Sequence, residues 1–312
     1  MSMCLVTGGA GFIGSHIVRR LLETGRAVRV LDDLSTGKRD NLAPVLPQID
    51  FVEGTIGDAA LVERCTRGVE IVFHLAARAS VPRSVEQPRP ANDVNVTGTL
   101  NLLIAATNAR VRRFVYSASS SAYGDTPTLP KYVDMRPQPL SPYAVSKLAA
   151  EHYCTCWSHV YGLSTVSLRY FNVFGPRQDP KGAYAAVIPA FVSRMLQSER
   201  PIIYGDGEQS RDFCYIDNVV GANLRAAEAP DLHGQVANVA CGERTTLNEI
   251  VANINVLLGT SIEPEYQPPR KGDVRHSLAD ISEARALLGY EPTILFPEGL
   301  RRSIDWYKAN PP

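Results

Sequence analysis

Met3-Cys-Leu-Val6 runs straight into Thr7-Gly-Gly-Ala-Gly-Phe-Ile-Gly14, and this junction decides the fold. The first four residues are a short apolar run, the pattern of a buried strand in a parallel sheet. Thr7 ends it. Gly8, Gly11 and Gly14 follow at three-residue spacing, and Phe12, Ile17, Val18, Leu21 and Leu22 then recur with helical period up to Gly25. Strand, glycine turn and helix in that order lay a diphosphate on a helix N-terminus. Gly8 permits the turn, Gly11 admits phosphate to the backbone N–H groups, and Gly14 lets the helix lie against the strand. Glycine spacing alone is common; the flanking strand and helix give it meaning. The bland alternative is a glycine-rich turn with no ligand.

The next apolar run, Ala27–Leu31, ends at Asp32-Asp33. Asp32 lies 24 residues beyond Gly8, where a carboxylate accepts hydrogen bonds from adenosine ribose hydroxyls. The same carboxylate repels a 2′-phosphate, so the expected cofactor is NAD rather than NADP. Lys38 and Arg39 follow closely and temper that preference.

Further along, Tyr143-Ala-Val-Ser-Lys147 places a phenol and an ammonium four residues apart, on one face of a helix opened by Ser141-Pro142. A free tyrosine ionises near pH 10 and is a poor base at neutral pH. A neighbouring ammonium and a cationic nicotinamide ring both favour the phenolate. Ser119-Ser120-Ser121 ends a strand some two dozen residues upstream, and a serine hydroxyl there can bond the reacting oxygen in either redox state. The alternative for each serine is a polar strand end. Together the two signatures point to hydride exchange between a nicotinamide cofactor and an alcohol or ketone.

The 312 residues suffice for one large domain or two smaller ones. Thirty-two basic and 32 acidic residues give zero formal charge, and no basic patch suggests nucleic acid. No apolar run reaches membrane-spanning length, and the first strand leaves no room for a secretory signal. The cytoplasm is the expected compartment. The six cysteines are scattered, often within apolar segments, and read as reduced buried thiols. The histidines form no ligand cluster, and no metal is expected.

Strand-like runs at Phe51–Glu53, Ile71–His74, Phe114–Ser117 and Thr165–Leu168 alternate with helical stretches at Ala59–Thr66, Ala91–Ala109 and Ser141–Tyr161. This alternation predicts an α/β fold of the Rossmann type, a doubly wound parallel sheet covered on both faces. After Arg169 prolines and glycines become frequent, and strand character returns at Phe213–Ile216 and Val236–Ala240, where the chain is expected to re-enter the sheet. A smaller, discontinuous α/β substrate domain is expected above the carboxyl ends of the strands. The expected division is 1–172 plus about 212–241 for the NAD-binding domain, and about 173–211 plus 242–312 for the substrate domain.

With these residues assembled, the chain resembles the extended short-chain dehydrogenase/reductase superfamily. Within it the chain is similar to sugar-nucleotide 4-epimerases of the UDP-galactose 4-epimerase type. The resemblance runs from the first strand to about Trp306. It is carried by the glycine motif, His74-Leu-Ala-Ala77, Asn95-Val-Thr-Gly98, the serine run, Tyr143–Lys147, Arg169-Tyr-Phe-Asn-Val-Phe-Gly-Pro176, Ser210-Arg-Asp-Phe213 and Arg270-Lys-Gly-Asp273. It implies a catalytic set of Ser119, Tyr143 and Lys147. It implies NAD contacts at Gly8, Gly11, Phe12, Ile13, Asp32, Leu75, Ala77 and Asn95, with Tyr143 and Lys147 reaching the cofactor as well. It places Asn172, Arg211, Arg270 and Asp273 around a UDP diphosphate and ribose, and Ser120, Ser121, Ala186, Val187, Tyr204 and Ser277 around the substrate. Arginine suits the diphosphate independently, because its guanidinium forks onto phosphate oxygens. Thr55-Ile56 departs from the Asp-Ile that family members commonly place against adenine.

Neighbouring branches differ in chemistry. The resembling 4,6-dehydratases carry an Asp-Glu pair where this chain has Ser120 and Ser121, so no acid is present for elimination. The segments Ser117–Gly124, Gly182–Pro189 and Gly272–Asp280 resemble bacterial enzymes that prefer UDP-N-acetylglucosamine and UDP-N-acetylgalactosamine. Epimerases confined to non-acetylated sugars have tyrosine at the position of Ser277, and a small residue leaves volume for the N-acetyl group. The alternatives are a UDP-glucuronate 4-epimerase, a net NAD-dependent oxidoreductase, and a non-catalytic NAD-binding protein, against which the intact Ser119, Tyr143 and Lys147 argue. The helices near Ala91–Ala109 and Ser141–Tyr161 are apolar on more than one face, and the resemblance implies a homodimer through a four-helix bundle.

Overall fold

The alternating pattern folds into a seven-stranded sheet in the computed structural model, which describes residues 2–181, 186–269 and 274–311. The strands are β1 (Met3–Thr7), β2 (Ala27–Asp32), β3 (Asp50–Glu53), β4 (Val69–His74), β5 (Arg113–Ser119), β6 (Thr165–Tyr170) and β7 (Gln235–Val239). All pair in parallel, in the order β3-β2-β1-β4-β5-β6-β7. The order reverses between β1 and β4, and ligands of such sheets bind at that crevice.

β1 shows why both faces are covered. Cys4 and Val6 enter one core cluster with Ile17 and Val18 of the helix α1 (Phe12–Glu23). Leu5 enters the other, with Val62 of α2 (Ala59–Thr66), Leu102 of α3 (Thr99–Asn108) and Ala150 of α4 (Pro142–Tyr161). A strand buried on both sides must be apolar at every position, hence the unbroken run. The start of α4 is fixed locally. The Ser141 side chain accepts the Ala144 N–H, Pro142 occupies the first turn, and Gly162 closes the far end at φ 71°.

Two expectations need correction. The stretch expected as one helix from Ala91 to Ala109 is a helix Pro88–Asn92, a π-helical turn Asp93–Gly98 and then α3. A single widened turn leaves the apolar periodicity almost unchanged, so the sequence pattern conceals it. Phe213–Ile216 does not re-enter the main sheet. Cys214–Tyr215 pairs with Val173–Phe174 in a separate two-stranded sheet, and Ile216 begins the helix α5 (Ile216–Glu228). Its apolar character serves a ring cluster instead: Phe174 lies 6.2 Å from Phe213, 5.6 Å from Tyr215 and 5.6 Å from Phe296. The sheet is re-entered at β7.

Small elements complete the second half. A helix spans Val187–Leu196, Ile202–Tyr204 pairs in parallel with Glu265–Gln267, and Ser210–Arg211 pairs antiparallel with Thr245–Thr246. Among the described residues no helix is long and apolar enough to cross a membrane, and no group of His, Cys, Asp and Glu could hold a metal ion.

Candidate active site

A cavity of about 860 Å³ lies at the carboxyl ends of β1, β2, β4, β5 and β6. One end is the glycine turn. Gly11 precedes α1 without a capping side chain, and the first turn of the helix holds no acidic residue, so its N–H groups remain available to an anion. Gly8 has φ +70°, and a Cβ there would meet the Ala76 nitrogen at 2.6 Å. A Cβ on Gly14 would lie 2.2 Å from the Gly8 oxygen. The turn therefore excludes side chains at both positions, and the free N–H groups at the start of α1 suit a diphosphate. Phe12 and Ile13 line this end of the cavity, as do Leu75 and Ala77 beyond β4.

Asp32 ends β2 in the cavity wall. Its Oδ2 accepts the Ala10 N–H at 2.8 Å and its Oδ1 the Leu34 N–H at 2.9 Å. Burial raises its carboxyl above the ordinary range, and these two bonds pull it back. A carboxylate offers about four acceptor sites, so capacity remains for ribose hydroxyls. The nearby cations are occupied: Lys38 pairs with Asp179 at 2.6 Å and Arg39 with Glu53 at 3.0 Å. The donor set thus fits NAD.

Ser119 at the end of β5, with Tyr143 and Lys147 on α4, lines the same cavity. Burial raises the Tyr143 phenol, and a hydrogen bond with Ser119 lowers it. Burial also lowers the Lys147 ammonium to about 7, while Cys154 and Glu151 push it back up. Its Nζ lies 4.4 Å from the centre of the Tyr116 ring, a cation–π contact. Ser119 and Ser121 share a 2.8 Å hydrogen bond between hydroxyls. One turn beyond Lys147, Glu151 accepts two bonds from Arg169, at 2.6 and 2.9 Å, in a buried pair joining α4 to β6.

At the other end Asn172, Arg211 and Ser277 join Ser120 and Ser121 in the wall. Asn172 sits at φ 27°, a strained conformation for a non-glycine residue, and its Nδ2 donates to Ser277 Oγ at 3.1 Å. Thr55 and Ile56 line the cofactor end despite the departure at Thr55. Ala186 and Val187 lie outside this wall, at the start of the Val187–Leu196 helix, and so does Tyr204, whose carbonyl accepts Gln209 Nε2 at 2.6 Å. Arg270 and Asp273 fall outside the described residues, as does the stretch from Gly182 to Ala185.

Asn95 is also absent from the wall. It is buried in the π-turn, where its Oδ1 accepts the Arg78 N–H at 2.8 Å and its Nδ2 donates to Ser146 Oγ at 2.8 Å. Ser146 in turn donates to the Tyr143 carbonyl at 2.8 Å, so Asn95 acts on the site by holding its frame. Sequence reasoning missed the other half of that frame. His74 bonds Thr7 Oγ1 at 2.7 Å and Thr99 Oγ1 at 2.8 Å. Thr99 donates to the Asn95 carbonyl at 2.6 Å, which assigns the proton of the neutral ring to Nε2. Burial holds His74 neutral, lowering it to about 3. Lys131 and Gln178 also line the cavity without having been foreseen, because neither falls in a recognisable spacing.

Residues 4–240 match the NAD dependent epimerase/dehydratase family. A UDP-glucose 4-epimerase of Mycolicibacterium smegmatis is 41% identical over 308 residues, 97% of this chain and 98% of that protein. The solved UDP-N-acetylglucosamine 4-epimerase of Methanobrevibacter ruminantium M1, in complex with UDP-N-acetylmuramic acid, superposes with TM-score 0.95 at 42% identity, covering 99% of each chain. The UDP-glucose 4-epimerase of Thermus thermophilus, solved with NAD, gives TM-score 0.89 at 38% identity over 98% of this chain and 99% of that one. The chain belongs to the NAD dependent epimerase/dehydratase family. Within it, the chain is an isomerase of the sugar-nucleotide 4-epimerase kind, and its cofactor is NAD.

Proposed function

We propose that this chain interconverts UDP-N-acetylglucosamine and UDP-N-acetylgalactosamine, with UDP-glucose and UDP-galactose as a second substrate pair. The single observation that carries the choice of sugar is Ser277, a small residue in the cavity wall beside Asn172. The likeness to the Methanobrevibacter protein, a UDP-N-acetylglucosamine 4-epimerase, supports the same reading.

The chemistry follows from the residues. NAD, when bound at the glycine turn and Asp32, would supply the acceptor for the C4 hydride of the sugar and the donor that gives it back. Tyr143 as phenolate takes the proton of the C4 hydroxyl. Ser119 bonds the reacting oxygen, as hydroxyl and as ketone. Lys147 favours the phenolate by its charge and holds ribose hydroxyls. The 4-keto sugar turns about its bond to the diphosphate while Asn172, Arg211 and Arg270 hold the nucleotide. Tyr143 then returns the proton, and C4 is inverted.

We propose a matching division of the chain. Residues 1–172 with about 212–241 form the cofactor domain, and the remainder forms the substrate domain. The protein works in the cytoplasm as a homodimer. Incubation with a panel of UDP-sugars, followed by separation of C4 epimers, tests the reading. Turnover of UDP-glucuronate alone would replace it with the uronate epimerase.

A further inference from the structure

Behind the wall at Arg211 and Ser277 lies a carboxylate that the chemistry above does not use. Asp212 is 0% exposed. Its Oδ1 accepts the Cys241 N–H at 2.9 Å, and its Oδ2 accepts the Gly242 N–H at 3.0 Å and the Ala279 N–H at 3.1 Å. Those three amides belong to two chain segments far apart in sequence: the turn that leaves β7, and the segment that carries Ser277. Asp212 itself follows Arg211. One buried side chain thus joins three segments at the rim of the cavity.

Its backbone completes the join. The Asp212 N–H points to Ser277 Oγ at 3.4 Å, and the Asp212 carbonyl accepts Asn172 Nδ2 at 3.3 Å, the same nitrogen that donates to Ser277. The Ser277 N–H donates to the Ser210 carbonyl at 3.0 Å. Arg211, Ser277 and Asn172 therefore share a frame whose buried anchor is one carboxylate. Bonds to an ionised acceptor are about twice as strong as neutral ones, and three of them on a single carboxylate make a stiff anchor.

We infer that Asp212 is a positioning residue for substrate: its carboxylate fixes the mutual placement of Arg211, Asn172 and Ser277, and so sets affinity for the nucleoside diphosphate. This rests on the proposed reading of those three residues as nucleotide-sugar contacts. The glycine cradle and the pair Tyr143 and Lys147 stand on other elements, so cofactor retention and the chemical step are spared.

The test is Asp212→Asn in the NAD-loaded enzyme. An amide presents an NH2 group to at least one backbone N–H, while side-chain volume is kept. UDP affinity measured by calorimetry should fall by about tenfold or more, the equivalent of one lost charge-assisted bond. Bound NAD should stay at the wild-type ratio, and kcat at saturating substrate should change by less than about threefold, a split that general destabilisation would not give. UDP affinity within twofold of wild type, or a loss confined to kcat, overturns the inference. If Asp212→Asn fails to fold, Asp212→Glu is titrated instead: its longer carboxylate displaces the amides, and wild-type UDP affinity there overturns the inference equally. A wild-type enzyme that turns over no UDP-sugar would instead overturn the proposed function.

Discussion

At the residue scale, burial works against the proposed acid–base step and the neighbours of Tyr143 must oppose it. Tyr143 is raised by desolvation, so at neutral pH its phenol holds the proton it must lose. The hydrogen bond with Ser119 works in the other direction, and in the proposed mechanism a positive Lys147 would add to it. Lys147→Ala should slow turnover at pH 7 by at least about a hundredfold, the scale of general-base effects. Only the deprotonated phenol can take the C4 proton. The variant should therefore recover part of its rate as the pH rises towards the tyrosine's own range, its profile displaced to higher pH than that of wild type. Initial rates from pH 6 to 10 check this, and a flat profile in the variant would show that the lysine acts through binding alone. In the proposed reading, Ser277 sets the choice of sugar at the same scale. Ser277→Tyr fills the wall and removes the oxygen to which Asn172 donates. Overpacking costs roughly 1–3 kcal/mol or more, and each 1.4 kcal/mol is about tenfold in rate. Turnover of UDP-N-acetylglucosamine should be abolished while that of UDP-glucose persists. Equal loss on both sugars would sink the specificity argument.

At the scale of elements, the glycine turn between β1 and α1 has no slack. Gly14→Ala would press a methyl carbon to 2.2 Å from the Gly8 carbonyl oxygen, and backbone cannot yield as a side chain end can. The purified variant should carry well under half the NAD of wild type, measured as nucleotide released on denaturation; full NAD content would contradict the cradle. This turn was legible because its constraint is local: the glycine spacing, the strand before it and the helix after it all lie within 25 residues. The same holds for Tyr143 and Lys147, four apart on one helix. Features set by tertiary partners were not legible. The π-turn around Asn95 preserves apolar period. The run Phe213–Ile216 reads as a strand, yet it serves the ring cluster with Phe174 and Phe296, residues that no local pattern connects to it. Asn95 is expected from the motif as a cofactor contact, and its bonds to Arg78 and Ser146, which brace the turn of Tyr143, are not readable from that motif, because resemblance locates a residue without stating what its side chain bonds. His74 stands in a family motif, but nothing local shows that it bonds Thr7 and Thr99 on two other elements.

At the scale of the whole molecule, α4 turns Tyr143 and Lys147 inward to the cavity and leaves a different face outward. Val145, Tyr153 and Val160 are among the exposed large apolar residues, with Ile104 on α3 exposed as well. Cys156 is exposed too. At about 100° per residue, Val145, Tyr153, Cys156 and Val160 fall within an arc of about 80°, a single stripe along the helix. A polar outer face would be expected of a helix with no partner. Two copies of the stripe packed about a twofold axis would give the isologous contact proposed for the homodimer, with α3 and α4 of each copy forming four helices. The stripe lies away from Tyr143 and Lys147, whose side chains line the cavity, so a change there should alter assembly before it alters chemistry. Val160→Glu introduces one carboxylate per copy into an apolar contact, and the two charges have no partner once buried. Wild type should sediment as a dimer at micromolar concentration, and the variant as a monomer that keeps its bound NAD. A wild-type monomer under those conditions, or a Val160→Glu protein that stays dimeric, would remove this face from the interface.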